Sequence, residues 1–237
     1  MVSCVKFTDE KGEFLARFLD KGKKEDRGLI EDAFSKIGNK YGKESHAYKS
    51  VINGISLSNL TGSQTFFSIE LGFTLPEDMR VASLEDWGKI FSEPRNKTFM
   101  HGFCSSIPEI ILRSGEEYFK KDIMIARDLG KKLSLEDYEF SPERPLLMQG
   151  INLEASQNGS NAYGVSFKID GADIKNDERF AAKRDEIGIG KVTKKLITDF
   201  YGLSGLEIIG ARYVNSKVKD LAKSDPRGRI VLIERIK

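Results

Sequence analysis

The segment Ile187-Gly-Ile-Gly-Lys-Val-Thr-Lys-Lys-Leu-Ile197 concentrates the features from which a phosphate site is built. Gly188 and Gly190 free the backbone to turn and bring N–H groups close to an anion, and Lys191, Lys194 and Lys195 follow with positive charge. A helix opening after Gly190 would add its N-terminal dipole. Lys183, Arg184, Arg227 and Arg229 supply a surrounding basic patch. The nucleotide-hydrolysing P-loop pattern fails, because Asp185 stands where its first glycine belongs and Val192 where a Ser or Thr would reach magnesium.

Two further constellations bear on catalysis. His101 and Cys104 sit three residues apart ahead of a helix start read at Ser106, a setting in which imidazole and helix dipole lower a thiol pKa. The competing account is a core cysteine and a histidine bonded to backbone. Glu154, Asp170 and Asp173, with Lys168 nearby, offer oxygens for magnesium, yet the Glu-x-Lys and paired-Asp signatures of metal nucleases are missing and Asp170-Gly171 reads as a turn. A zinc site made only of His and Cys would need Cys4, His46, His101 and Cys104 together. No Gly-x-Ser-x-Gly elbow or dinucleotide fingerprint occurs, so neither a metal nor a cofactor is expected.

The glycine-rich segment resembles the hairpin of helix-hairpin-helix nucleic-acid-binding modules at Gly188, Ile189, Gly190, Thr193 and Ile197, about a dozen residues in all. The resemblance implies two short helices, the first over residues 177–184, joined by a turn that grips phosphates without reading sequence. Lys194 departs from the pattern, which has a small residue there to pack the helices closely.

Composition frames these sites. A chain of 237 residues with 39% apolar content can build its own core. Two cysteines are too few for a disulfide framework, and no basic leader followed by an apolar run, nor any stretch long enough to span a bilayer, is present, so a cytoplasmic protein is expected. Net charge is only +2, but residues 179–237 hold 14 Lys/Arg against 7 Asp/Glu, leaving −5 on the rest. Any work on an acidic partner belongs to the C-terminal quarter.

The elements that must position the sites read as an α+β fold. Apolar stripes at Phe14, Leu15, Phe18 and Leu19, at Leu29 to Ile37, and at Tyr48 to Ile55 predict three short helices. Thr65 to Leu75 alternates as a half-buried strand, with Phe66 on its polar face as a candidate for stacking a base or meeting another subunit. Ser83-Leu-Glu-Asp86 forms a capping box, Ser106 and Pro108 open a further helix, and Phe119, Ile123 and Ala126 continue a helical stripe. From residue 145 strands dominate. A hairpin flanks Asn158-Gly-Ser160, with Ile151 facing Phe167 and Leu153 facing Val165, and strands follow near Leu206–Val214 and Ile230–Ile236. The expectation is a mostly helical part over 1–137 with one strand near 65–75, then a sheet-centred part over 145–237 ordered β-β-α-α-β-α-β, the two merging if the lone strand joins that sheet.

Three functions are compatible with these residues. The leading one is a non-catalytic or accessory DNA- or RNA-binding protein acting through Gly188, Gly190, Lys191, Lys194 and Lys195, ringed by Lys183, Arg184, Arg227 and Arg229. The second is a structural or interaction component, viral or from a mobile element, pairing with another copy or a partner. The third is an enzyme, cysteine- or metal-dependent, which requires His101 and Cys104 or the hairpin carboxylates to converge in a pocket.

Overall fold

The chain opens on a period of two: Val5 and Phe7 are buried while Cys4, Lys6 and Thr8 are exposed, which makes Cys4–Asp9 a strand, β1. Asp9 accepts a hydrogen bond from the Lys11 N–H, and the chain reverses at Gly12 into β2, Gly12–Phe18, antiparallel to β1. The computed structural model describes residues 4–20, 22–55, 63–113, 123–136, 138–156, 161–198, 202–210, 212–225 and 227–236. The expected helical beginning is thus replaced by a hairpin. Phe14, Leu15 and Phe18 mimic a helical stripe because β2 is covered on both faces, Phe14 and Ala16 entering the core while Arg17 is buried against Asp26.

Helices α1, Lys24–Tyr41, and α2, His46–Ile52, follow as the periodicity predicts. Thr65–Leu75, expected as a strand, is instead helix α3, Thr65–Gly72. Every residue from Thr65 to Leu71 is buried, so the helix has no polar face to mark a 3.6-residue period, and its Phe, Ile and Leu alternate by accident. Phe66 is fully buried, edge-on to Tyr163, and is no exposed platform for a base. The short strand β3, Met79–Val81, leads to α4, Leu84–Ser92, whose Ser83–Asp86 capping box forms as read.

The helix expected at Ser106 is also a strand, β4, Cys104–Leu112. Nearly all of it is buried, and a strand covered on both faces reads as a continuous apolar run without alternation. Helix α5, Ile123–Leu135, then precedes strands β5, Leu146–Gln149, β6, Asn152–Ala155, β7, Val165–Lys168, and β8, Asp173–Asn176. The β6–β7 pair sets Leu153 against Phe167 and Ala155 against Val165, two residues from the expected register; Leu153, Val165 and Phe167 face inward as expected, while Ala155 is exposed. Its turn, and Phe119, lie outside the described residues. The remaining strands are β9, Glu186–Ile189, β10, Val192–Thr198, β11, Leu203–Ile209, β12, Tyr213–Val218, and β13, Val231–Arg235. The helix expected around Val218 is absent: Val218 ends β12, and Leu221 and Ala222 are buried in the turn beyond it.

The architecture is therefore a mixed, mostly sheet fold rather than helices followed by a sheet. A seven-stranded sheet runs β8-β5-β4-β11-β12-β10-β9, parallel only between β10 and β12, and a four-stranded sheet runs β1-β2-β13-β3. The final strand thus pairs with the second. One core, with Ile110, Leu112, Phe67, Leu129 and Phe167, lies between the large sheet and α1, α2, α3 and α5. The other, with Ile107, Ile111, Trp87, Phe99 and Val231, lies between the two sheets and α4. Among the described residues no helix is long and apolar enough to cross a membrane.

Between the sheets, one carboxylate is held against its chemistry. Glu109 is buried; its Oε1 accepts the Leu84 N–H at 2.9 Å and the Gln149 amide at 3.2 Å, while Oε2 has no partner among the described residues. Burial, with the charges of Asp86 and Glu85 adding to it, pushes its pKa from 4.5 to about 8. Across that window the folded chain keeps a proton that the unfolded chain releases, so this group's effect is a loss of stability as pH rises. Glu109→Gln, uncharged throughout, should match the wild type near the lower limit and exceed it by roughly 4 kcal/mol at the upper one, at about 1.4 kcal/mol per pH unit across the window. Parallel unfolding free energies for the two proteins across the window would show that Glu109 folds ionised.

Candidate functional site

The Gly-Ile-Gly segment is a β-hairpin, not a pair of helices. Ile189 pairs with Val192 and Ile187 with Lys194, so Gly190 and Lys191 form the turn between β9 and β10. Residues 177–184 supply only one short 3-10 turn, Glu178–Phe180. Ile187 and Ile189 alternate with exposed Glu186 and Gly188, a period of two that the glycines concealed. Gly190 has φ +61°, and a Cβ there would lie 2.3 Å from the Gly88 carbonyl oxygen and 2.7 Å from Ser92 Oγ of α4. Its lack of a side chain thus serves close packing of the turn on a helix, and the phosphate cradle predicted from Gly188 and Gly190 is not built.

The basic residues part company in the same way. Lys191, Lys195, Lys183 and Arg184 are exposed, the last two just before β9, and none of them belongs to the lining of the cavity that Lys194 shares with Arg227. Lys194 is buried, its ammonium 4.5 Å from the centre of the Phe91 ring, which explains why a long side chain stands where a helical hairpin needs a small one. Lys194 and Arg227, 33 residues apart in sequence, meet in the wall of one cavity of about 540 Å³. Arg212, His101, Phe103 and Tyr213 complete its chemistry, and Arg229 lies over the Phe103 ring at 4.7 Å. Sequence reasoning passed over Arg212 and Tyr213 because they sit at the mouth of β12, in a stretch that reads as one strand with β11.

Sheet register explains the rest of the site. Cys104 faces Ile209 and Ser106 faces Glu207 across β4–β11, while Glu207 faces Asn215 and Ile209 faces Tyr213 across β11–β12. These residues share one face of the sheet. A loop closes over it: Asp225 bridges Ser63, the Gly228 N–H returns to the Asp225 carbonyl, and Arg229 donates its N–H to the Cys104 carbonyl. Cys104 Sγ and carboxylate oxygens of Glu207 and Asp225 thereby come within 4.8 Å of one another. Glu207 and Asp225 line a second cavity of about 440 Å³ with Ser106, Asn215 and Lys217.

His101 and Cys104 do share a cavity, as a cysteine enzyme would require. The thiol is wrongly poised for nucleophilic attack, however. Cys104 begins a strand rather than preceding a helix, and burial together with the negative charges of Glu207 and Asp225 pushes its pKa well up. Burial likewise raises Glu207, with the Asp225 charge adding to the effect. The other carboxylates considered are dispersed into ion pairs, Glu154 with Lys132 at 2.8 Å, Asp173 with Lys175 at 3.0 Å and Asp170 with Lys168 at 3.8 Å.

The two glycines give separable outcomes. Gly190→Ala should lose about 1–3 kcal/mol of stability in denaturant unfolding, from the left-handed backbone and the clash with α4. Gly188→Ala, which points into open space, should stay within about 0.5 kcal/mol of wild type. Equal effects would refute the packing role of Gly190. Compared with known protein families, curated proteins and solved structures, the chain matches none.

Proposed function

We propose that the protein binds nucleic acid through the cavity between β4, β10, β12 and the loop at Arg227, gripping phosphate with cations and accommodating a base against aromatic rings. The observation that carries this reading is the gathering of Lys194, Arg212, Arg227 and His101 with Phe103 and Tyr213 around a single concave space. Cations set beside ring faces suit a single strand, whose phosphates are bound electrostatically and whose bases stack without sequence preference. Clustering also separates this reading from a purely structural component, for which an even spread of charge would serve. The site lies in the basic C-terminal quarter except for the segment between residues 98 and 104, so the acidic remainder of the chain need not face the ligand. A cytoplasmic setting agrees with such a partner and with two free cysteines.

Fluorescently labelled single- and double-stranded DNA and RNA, titrated over a salt series, test the proposal. Affinity for a single strand should fall with salt at a logarithmic slope of about −0.7 per phosphate contacted. Arg212→Gln and Arg227→Gln should each flatten that slope by roughly one contact, whereas Lys191→Gln, outside the cavity, should leave it unchanged. Absence of binding at low salt, or equal effects of all three substitutions, would overturn the cavity as a nucleic-acid site.

A further inference from the structure

We propose that Cys104, Glu207 and Asp225 form a site for one divalent transition-metal ion of the zinc class. Three potential ligand atoms of two chemical kinds, a sulfur and two carboxylate oxygens, converge within 4.8 Å from the start of β4, the end of β11 and the loop before β13. Chain positions separated by about a hundred residues are thus brought to one point by strand register and by the Ser63–Asp225 bridge.

How the fold treats its other buried carboxylates gives an independent reason. Asp26 is paired with Arg17 at 2.7 Å, Glu70 with Lys40 at 2.7 Å, Asp86 with Arg80 at 2.6 Å and Asp177 with Arg179 at 2.5 Å. Glu109, the exception between the sheets, receives the first N–H of α4. Glu207 is only 7% exposed, yet no lysine or arginine among the described residues forms an ion pair with it; its contacts are the Asn215 amide at 3.3 Å and the cluster itself. Asp225 accepts the Arg227 N–H at 2.7 Å and pairs with the Arg227 guanidinium at 3.6 Å. A buried carboxylate facing a second one calls for a positive charge, and among the described residues the ion pair reaching this pair of carboxylates is the long one from Arg227.

The donor set selects the ion. Sulfur favours zinc and its transition-metal neighbours over magnesium or calcium, and on binding the thiol would surrender its proton and become a thiolate ligand. Three protein ligands leave a coordination position for water or for an oxygen of a ligand. The inference stands on this geometry and does not need the nucleic-acid reading.

Cobalt(II), a spectroscopic substitute for zinc, is the probe. Titrated into the chelator-treated full chain, it should bind one equivalent with near-ultraviolet thiolate-to-metal absorption. That band should vanish in Cys104→Ser and persist in Cys4→Ser. Asp225→Asn, at a partly exposed position that should not prevent folding, and Glu207→Gln should each weaken cobalt(II) and zinc binding roughly tenfold or more. Zinc should raise the unfolding temperature of the wild type more than that of Asp225→Asn. Failure of the wild type to take up a stoichiometric ion, or a band surviving in Cys104→Ser, would overturn the site. Because cobalt(II) uptake is measured without oligonucleotide, a failed salt series leaves this result standing, and a failed metal titration leaves the salt series standing.

Discussion

The pairing of β4 with β11 is the constraint on which the remainder of the fold rests. Both strands are buried almost throughout, so each side chain must commit to one of two cores. Ile107 and Ile111 face the space between the sheets with Leu206 and Ile208, while Ile110 and Leu112 face the helices with Leu203. Pro108 has no N–H to give to the ladder, and the register breaks around it: between the pairs Gly205–Ile110 and Glu207–Ser106, β11 has one residue where β4 has three. The difference is two residues, so every side chain keeps its face. The break bends the strands without exchanging the cores.

On the far side of that break, the helix-facing surface changes character. Near Ile110 and Leu112 it is covered by apolar residues of α3 and α5, but towards the start of β4 it carries Cys104, Ser106, Glu207, Asn215 and Tyr213. Cover there comes from Asp225 and residues 227–229, brought so close that a Cβ on Gly228 would lie 2.4 Å from the Ser63 nitrogen. Gly205 allows a similar approach, where a Cβ would lie 2.3 Å from Thr65 Oγ1 of α3. These glycines are used for contact between segments, as Gly190 is on α4, and that use leaves no mark distinguishing them from turn glycines in a sequence.

What was legible in the sequence follows from how exposure writes itself into periodicity. Helices α1 and α2 present one face to water, and α4 carries a capping box, so their stripes and caps were readable. Helix α3 and strands β2 and β4 are covered on all or both sides, which erases the polar half of the pattern, so that the helix reads as a strand and the two strands as helices. For β6–β7 the inward set was readable from alternation, but not which of its members face each other. Of the candidate site, Lys194, Arg227, His101 and Cys104 were visible as residue types with chemistry. Arg212, Glu207 and Asp225 acquire a role only through strand register and a loop bridge, neither of which is encoded locally.

The cation cavity and the thiol–carboxylate cluster are electrically one region. Cys104 lines the first and belongs to the second, and Arg227 lines the first while lying 3.6 Å from Asp225. Negative charge on Glu207 and Asp225 therefore offsets part of the positive potential that Lys194, Arg212 and Arg227 present to an anion. An ion bound to the carboxylates would remove that offset and leave a coordination position open. Linkage then requires that metal and phosphate strengthen each other's binding to the extent that they share this field. The fold thus sets two groups of opposite charge side by side at the end of its most buried strand pair.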